Sequence, residues 1–299
     1  MTNILEVTGL NKSYGDFSLS NVTFSLPEDC ITGFIGVNGA GKTTTLRSIL
    51  RLTTNTSGTI KLFGLDIEKH ESESKNRIGV VMDDGGFYDE LTMSEMKNVI
   101  APAYSSWSEQ DYKSYMDRFS LNPKQKINTL SKGMRMKYAL ALALSHKAEL
   151  LIMDEPTSGL DPLIRSQLLT ILTDYMKEGG KGVFFSTHIT SDLEKVADML
   201  IMIDHGKIVF QEEKDTLLES YRVVKGDTKD LNQENRKLFQ NIKTTDFGFT
   251  GVTNQIKEVQ ECLPGIVIER PTIEDIMLSN IEGVRNNVAS SYKKGLCNR

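Results

Sequence analysis

The chain carries Gly36-Val37-Asn38-Gly39-Ala40-Gly41-Lys42-Thr43-Thr44, which fits the pattern G-x-x-x-x-G-K-[ST]. The apolar residues 31–35 before it predict a strand, and residues 45–50 after it carry apolar side chains at helical spacing. Glycines let several backbone N–H groups converge on an anion, and the positive end of the following helix adds to the field. Lys42 is then placed to reach the β- and γ-phosphates of a nucleotide, and the Thr43 hydroxyl to bind Mg²⁺. The stretch predicts a nucleotide phosphate site, and a glycine-rich turn with a solvated lysine is the alternative for the motif alone.

Length and charge limit the class of protein. The 299 residues suffice for one large domain, or for one domain with an appendage, and for a substantial core. The 35 basic and 40 acidic residues leave a formal net charge of −5, which argues against a protein that tracks nucleic-acid phosphates. Nucleic acid is therefore not an expected partner.

Cysteine usage and hydropathy predict the compartment. Cys30, Cys262 and Cys297 lack metal-ligand spacing, and residues 1–10 do not form a basic and apolar leader, so a reducing cytoplasm is expected. The longest apolar run, residues 139–144, is far shorter than the ~18 to 20 residues needed to cross a bilayer. If the protein acts at a membrane, we expect another chain to supply the membrane-spanning part.

The segment before the phosphate loop predicts antiparallel strands. Residues 4–24 alternate apolar and polar side chains around a turn at Tyr14-Gly15-Asp16. An aromatic side chain just upstream of a phosphate loop is able to stack on an adenine ring, so Tyr14 is a candidate for that contact. A half-buried strand tyrosine is the structural alternative.

The middle of the chain predicts an inserted helical subdomain over about 84–147, interrupted by prolines at 102 and 123. Near its end, Leu130-Ser131-Lys132-Gly133-Met134 opens a long amphipathic helix that runs through Leu144. Ser131 is placed to cap this helix, and the first N–H groups of the helix would be free to bind an anion. An ordinary capped helix is the alternative.

Two buried strands deliver polar side chains to one edge of a predicted parallel sheet. The apolar run 150–153 ends at Asp154-Glu155, and a tight turn through Asp161 leads into a helix. The strand 183–187 ends at His188. Ligand crevices form outside the carboxyl ends of parallel strands, and adjacent carboxylates there are hard to explain structurally. The pattern therefore predicts that this edge carries chemistry.

The polar C-terminal part predicts a small α/β appendage. Strands are expected near 221–224 and 265–268, and helices near 230–239, 254–262 and 272–281. We place the main domain at residues 1–217 and the appendage with its tail at residues 218–299. The composition of the appendage indicates no chemistry.

Taken together and in this order, the phosphate loop, the Leu130–Met134 segment, Asp154-Glu155, the turn to Asp161 and His188 resemble the ATP-binding subunit of an ABC transporter. The resemblance covers about residues 4–215, and the appendage is similar to the tail of bacterial ABC-2 type subunits. The segment Leu-Ser-Lys-Gly-Met is similar to the branch that exports bacitracin-like antibiotics and amphipathic peptides. The implied fold class is α/β: a P-loop NTPase cassette with a mixed β core, an inserted helical subdomain and a small C-terminal α/β appendage.

The resemblance also assigns roles to individual residues. It implies catalytic roles for Glu155 as general base, for His188 as the γ-phosphate contact and for Lys42. Ser131 and Gly133 would close over the nucleotide of an opposite subunit, and Asp161 would link the two sites. The implied ATP contacts are Tyr14, Val37, Asn38, Gly39, Ala40, Gly41, Lys42, Thr43, Thr44, Ser131, Gly133 and Asp161, and the implied Mg²⁺ ligands are Thr43, Asp83 and Asp154.

Two positions depart from the family pattern. Lys132 replaces the usual glycine at a helix start, where a cation costs about 0.3 to 1 kcal/mol, which suggests a compensating anion on a partner; a lysine directed into solvent is the alternative. Asp83 stands where most of the family has a glutamine that touches Mg²⁺ and senses the membrane domain. Asp84 beside it is a substitute, and helix capping by both aspartates is the structural alternative.

The predicted function is an energy-coupling ATPase that uses ATP and Mg²⁺. The resemblance implies a second nucleotide-binding subunit, identical or different, and an integral membrane permease subunit, with the protein at the cytoplasmic face of the cell membrane and export as the direction. The alternative from another class is a soluble ABC ATPase acting on ribosomes or DNA. A binding module without catalysis is disfavoured because Lys42, Glu155 and His188 are all present.

Overall fold

The computed structural model describes residues 2–82 and 86–281, and it divides into two compact units. The first unit contains the residues up to Asp192 together with Val196–Gln211. The second contains Leu193–Lys195 and the residues from Glu212 onward. The domain limits 1–217 and 218–299 stay a prediction.

The first unit alternates strands and helices along the chain. Its strands are β1 Asn3–Tyr14, β2 Phe17–Pro27, β3 Cys30–Ile35, β4 Ser57–Leu62, β5 Leu65–Asp66, β6 Ile78–Val81, β7 Leu150–Asp154, β8 Gly182–Thr187, β9 Met199–Asp204 and β10 Lys207–Glu213. Its helices are α1 Lys42–Ile49, α2 Glu71–Asn76, α3 Met93–Ile100, α4 Glu109–Arg118, α5 Lys132–Ser145 and α6 Pro162–Met176, and α7 Thr190–Val196 contributes to both units.

A six-stranded sheet in the order β10-β9-β3-β8-β7-β6 forms the centre of this unit. Its strands β9, β3, β8, β7 and β6 are parallel neighbours, and β3, β7 and β8 are apolar and almost wholly buried, as is typical of a parallel sheet that is covered on both faces. The register pairs Ile35 with Thr187 and Asp154 with Ser186. The ends of β3, β7 and β8 therefore meet at one edge, which the sequence analysis predicted for β7 and β8.

A second, antiparallel sheet in the order β2-β1-β4-β5 packs on the first through aromatic side chains. Phe24 of β2 lies 5.9 Å from Phe34 of β3 and 5.6 Å from Phe184 of β8, measured between ring centroids. All three rings are buried, and burial of each contributes about 1.5 to 3 kcal/mol. This packing fixes β3 and β8 relative to β2, and the phosphate loop begins at the end of β3.

The helices α3, α4 and α5 follow β6 and form the predicted helical insertion. Thr92 and Glu95 make a capping box at the start of α3, and the buried Tyr138 hydroxyl of α5 donates to the Met93 carbonyl at 2.7 Å. No helix within residues 2–82 and 86–281 is both long and apolar enough to span a membrane.

His146, just after α5, is a buried histidine that makes the unit sensitive to acid. Its side chain is 2% exposed, its ring stacks on Tyr104 at 3.8 Å, and Nδ1 has no hydrogen-bond partner among the described residues. Burial lowers the pKa of His146 from 6.5 to about 4. The unfolded chain therefore binds this proton more readily than the folded chain does, so acid favours unfolding.

We predict that the stability associated with His146 is complete above about pH 6.5 and is lost as the pH falls towards 4, by about 2 kcal/mol at pH 5. The measurement is urea unfolding of the full-length protein at pH 7.5 and pH 5. The variant His146→Phe keeps an aromatic ring beside Tyr104 but cannot titrate, so its midpoint should change less with pH. His70→Phe, at a half-exposed histidine, is the matched control. An identical pH dependence in His146→Phe and the wild type would contradict the prediction.

The second unit is built on a sheet in the order β12-β13-β11-β14. Its elements are α8 Lys214–Ser220, β11 Arg222–Gly226, β12 Asn241–Thr245, β13 Gly248–Thr253, α9 Ile256–Cys262, β14 Val267–Glu269 and a helix over residues 273–281. Val224, Phe249 and Val259 belong to its small core. The unit has the predicted α/β composition.

The predicted helix over 230–239 is wrong, because this segment forms short 3₁₀ turns instead. Asparagine side chains compete with a helix for the backbone: Asn232 Oδ1 accepts from the N–H groups of Glu234 and Asn235, and Asn235 Nδ2 donates to the Asp230 carbonyl at 2.8 Å. The hairpin of β12 and β13 that follows has no counterpart in the sequence prediction. The sequence of β12, Asn-Ile-Lys-Thr-Thr, has one apolar residue and therefore lacks the alternation of apolar and polar residues that identifies a strand.

Candidate functional site

The phosphate loop joins the end of β3 to the start of α1, and two glycines let it pass close to neighbouring elements. A Cβ on Gly36 would lie 2.4 Å from the Ile203 carbonyl oxygen, so no side chain fits there. Gly41 has φ +117°, and a Cβ on it would lie 2.9 Å from both Phe17 and Leu19. The loop therefore requires glycine at these positions, for steric reasons that the motif alone does not reveal.

A cleft of about 380 Å³ opens over this loop. Gly39, at φ +81°, faces it with open space, since a Cβ there would meet nothing within 4 Å. The N–H groups in the first turn of α1 have no acceptor inside the helix, so they are available to an anion. The cleft fits a polyphosphate and is lined by Phe17, Asn38, Gly39, Gly41, Lys42, Thr43, Thr44 and Glu155.

The Lys42 ammonium group is held from two sides. Its Nζ donates to the Gly36 carbonyl at 2.8 Å and to the Val37 carbonyl at 3.5 Å, and it lies 3.3 Å from Glu155 Oε1. The other carboxylate oxygen of Glu155 lies 2.8 Å from His188 Nδ1 and accepts from the His188 backbone N–H at 3.4 Å. Lys42 and Glu155 are 6% and 16% exposed. Glu155 therefore bridges the two groups that the resemblance assigns to the phosphates.

Asp154 and Glu155 lie at the end of β7 and are both tied to Ser186 of β8. The nearly buried Asp154 accepts from the Ser186 hydroxyl at 2.5 Å, and the Glu155 N–H donates to Ser186 Oγ and to its carbonyl, each at 3.1 Å. Glu155 has φ +49°, a conformation that costs a non-glycine residue roughly 1 to 3 kcal/mol. The two hydrogen bonds to Ser186 fix the Glu155 backbone in this conformation, and the Glu155 side chain lines the cleft.

Ser186 is a site residue that the sequence analysis missed. The available signal was a hydroxyl in an otherwise apolar strand, Val183-Phe184-Phe185-Ser186-Thr187. Phe17 is a second omission, since it lines the cleft while Tyr14 is not among the lining residues described. Instead, the Tyr14 hydroxyl lies 2.7 Å from Thr53 Oγ1, and the Tyr14 ring is about half exposed. Stacking of Tyr14 on adenine stays a prediction.

Ser131, Gly133 and Asp161 lie outside the cleft lining in the part of the chain that the structure describes. Ser131 caps α5, since its Oγ accepts from the Met134 N–H at 3.3 Å. Asp161 caps α6, since its carboxylate accepts from two first-turn N–H groups at 3.0 Å each. Ser131 has the capping role that the sequence predicted, and the Asp161 cap is an addition from the structure. Contact of Ser131, Gly133 or Asp161 with a nucleotide of another subunit stays a prediction.

Two of the three predicted metal ligands lie among the described residues, and both are oxygen donors. The Thr43 hydroxyl is exposed in the cleft, and the Asp154 carboxylate lies at the end of the adjacent strand β7. Over residues 2–82 and 86–281 no group of three or more His, Cys, Asp or Glu side chains is arranged to hold a metal. Mg²⁺ suits such a site because it binds through one or two protein oxygens, water and substrate phosphates. Asp83 and Asp84 lie outside the described residues.

Comparisons with known proteins agree with this geometry. A family model described as ABC transporter matches residues 19–158. The bacitracin transport ATP-binding protein BcrA of Enterococcus faecalis is 31% identical over 212 residues, which are 70% of this chain and 69% of that protein. The chain belongs to the ABC transporter ATP-binding subunits.

Two further proteins show the same relationship. The lantibiotic transport ATP-binding protein SrtF of Streptococcus pyogenes is 31% identical over 215 residues, covering 71% of this ABC subunit and 92% of that protein. A solved structure described as the ATP-binding subunit of an ABC transporter superposes with a TM-score of 0.66 at 28% identity, over 72% of this chain and 92% of that one. The family resemblance, the fold class and the identification as an ATPase are confirmed.

Proposed function

We propose that this ABC ATPase works as one of two nucleotide-binding subunits that dock on separate membrane permease subunits and drive export. The observation that carries the proposal is the composition of the cleft. Its walls come from Phe17, the phosphate loop and Glu155, while the Ser131–Gly133 turn lies outside it. A second chain that offers its own turn would complete the site, as isologous pairing of identical or similar subunits allows.

The chain's own residues support hydrolysis of the terminal phosphate bond. The Lys42 cation and the first-turn N–H groups of α1 would bind the phosphates, and Glu155 would accept a proton from the attacking water. His188, 2.8 Å from Glu155, would orient that carboxylate and contact the γ-phosphate. Thr43 and Asp154 would hold Mg²⁺, which when bound supplies neutralisation of phosphate charge.

The names of the relatives favour antibiotic or amphipathic peptide export as the process served. BcrA is named for bacitracin transport and SrtF for lantibiotic transport, and both are named as ATP-binding proteins. By analogy the protein would lie at the cytoplasmic face of the cell membrane, bound to a permease that selects the cargo. Purification of the membrane subunit that accompanies the chain from native membranes would test this assignment. Association with ribosomes instead of membranes would contradict it.

We predict that two inactive variants restore activity when they are mixed. Lys42→Ala removes the phosphate cation, and Ser131→Arg places a large side chain on the turn that a partner site needs. In a mixed dimer one site carries both changes and the other carries neither. About half of the dimers are mixed and each has one intact site, so equal amounts should regain activity well above that of either variant alone. The rate should reach about a quarter of the wild-type ATPase rate if the two sites act independently, and less if they are coupled.

The control is a mixture of Lys42→Ala with Lys42→Ala/Ser131→Arg, in which no intact site forms. ATPase rates should be measured over a range of protein concentrations, since a two-chain site makes the specific rate rise with concentration. A wild-type rate that is independent of concentration and of any partner, with no recovery on mixing, would refute the two-chain site.

A further inference from the structure

Lys132 lies lengthwise against the loop that follows Glu155. From the position that a Cβ would take on Gly159, the distances to Lys132 are 3.5 Å for Cδ, 3.7 Å for Nζ and 3.9 Å for Cε. The outer half of the Lys132 side chain therefore occupies the space beside Gly159 into which a side chain at that position would project. Although Lys132 is an exposed residue, the outer part of its side chain packs on the protein.

The loop over residues 155–161 has few internal bonds. The Ser158 N–H donates to the Glu155 carbonyl at 3.1 Å, and the Leu160 N–H donates to the Thr157 carbonyl at a long 3.3 Å. Gly159 adopts φ +70°, and in the described part of the chain the buried Thr157 hydroxyl has no hydrogen-bond partner. Hydrogen bonds to Ser186 and to the first turn of α6 hold the two ends of the loop, so packing from outside acts mainly on its middle, around Gly159.

Gly133, the next residue in the chain, also lies close to the end of this loop and to the start of α6. A Cβ on Gly133 would lie 3.3 Å from Ile164 Cγ2 and 3.8 Å from Leu160 Cδ2, so the first turn of α5 packs closely on the end of the loop and the start of α6. At the first position of α5, a lysine opposes the helix dipole at a cost of about 0.3 to 1 kcal/mol. The position of Lys132 beside Gly159 is therefore not one that the helix end itself favours.

We propose that Lys132 is a positioning residue that couples the start of α5 to the Glu155–Asp161 loop. This inference rests on the proposed two-chain function, in which the Ser131–Gly133 turn meets one nucleotide and Glu155 meets the other. Within each chain, a movement of the Ser131–Gly133 turn at one nucleotide site would then shift Lys132. Lys132 would in turn shift the loop that follows Glu155, the general base of the other site. The expected anionic contact of Lys132 with a partner stays a separate prediction.

Hydrogen exchange of the nucleotide-free protein tests the contact directly. Lys132→Ala should speed exchange at the Ser158 and Leu160 amides by about threefold to fivefold, since the packing over the loop is lost. Lys132→Met keeps most of the stem and should restore slow exchange. Lys137→Ala is the matched control, because Lys137 lies on the same helix but lines a different cleft with Arg118 and Ser166. Amides of β8 serve as a reference for global opening, and unchanged exchange in Lys132→Ala overturns the proposal.

The dependence of ATPase rate on ATP concentration tests the coupling. Lys132→Ala should lower the Hill coefficient towards 1 while the Kd for ADP of the isolated chain stays at its wild-type value, and Lys132→Met should recover the cooperativity. Equal Hill coefficients above 1 in the wild type and in Lys132→Ala overturn the coupling. A wild type without cooperativity or dimerisation counts against the two-chain function instead, and the exchange experiment still decides whether Lys132 holds the loop.

Discussion

Replacement of Glu155 with Gln is expected to lower the ATPase rate by about 10²- to 10⁴-fold, because the amide retains the shape of the side chain but cannot accept the proton of water. The same change should preserve or strengthen nucleotide binding. In the nucleotide-free chain the Glu155 carboxylate lies 3.3 Å from Lys42 Nζ and competes with a phosphate for that cation. We expect ADP to bind about threefold to tenfold more tightly to Glu155→Gln, and an ATP-stabilised dimer to accumulate.

Phosphate release and equilibrium binding of ADP measure the two effects separately. Repeating the binding experiment in a Lys42→Met background shows where the gain in affinity originates. If Glu155 acts by occupying Lys42, the gain disappears in that background, whereas a general loss of negative charge would preserve it. Glu178→Gln, at an exposed glutamate, is the matched control and should match the wild type in both measurements. Hydrolysis near the wild-type rate in Glu155→Gln would remove Glu155 from the role of base.

Replacement of Lys42 with Ala is expected to weaken nucleotide binding itself, by about tenfold to a hundredfold, since charge-assisted hydrogen bonds to the phosphates are lost. The effect should be larger for ATP and ADP than for AMP, because Lys42 is assigned to the β- and γ-phosphates. The substitution also leaves Glu155, which is 16% exposed, without its cation. A modest loss of thermal stability should therefore accompany the loss of affinity.

Calorimetric titration with each nucleotide and thermal unfolding without nucleotide test this prediction. Lys61→Ala, at an exposed lysine of β4, is the control and should alter neither quantity. The double variant Lys42→Ala/Glu155→Gln should recover the thermal stability but not the ATP affinity, because it removes the unpaired carboxylate and not the need for a cation. Unchanged ATP affinity in Lys42→Ala would contradict the assignment of Lys42.

The sequence alone determined the features that depend on neighbours along the chain. Three of these features are contiguous patterns: the phosphate loop, the apolar strand ending in Asp154-Glu155 and the strand ending at His188. Their residue types alone indicate the chemistry expected at each place. The cap at Ser131 was predicted for the same reason, since a serine caps N–H groups two or three residues away. The order of these motifs then led to the ABC family, which the comparisons confirm.

Only the tertiary structure decided which groups meet. The pairing of Lys42 with Glu155, the bond from Ser186 to Asp154 and the position of Phe17 in the cleft all join residues that are far apart in the chain. Such contacts follow from strand order and register, which local patterns do not encode. The same limit explains the missed hairpin in the second unit, where β12 gains its partner from sheet pairing rather than from its own alternation. Lys132 is the clearest case: its sequence position predicts a cost at the helix start, and only the fold places its side chain beside Gly159.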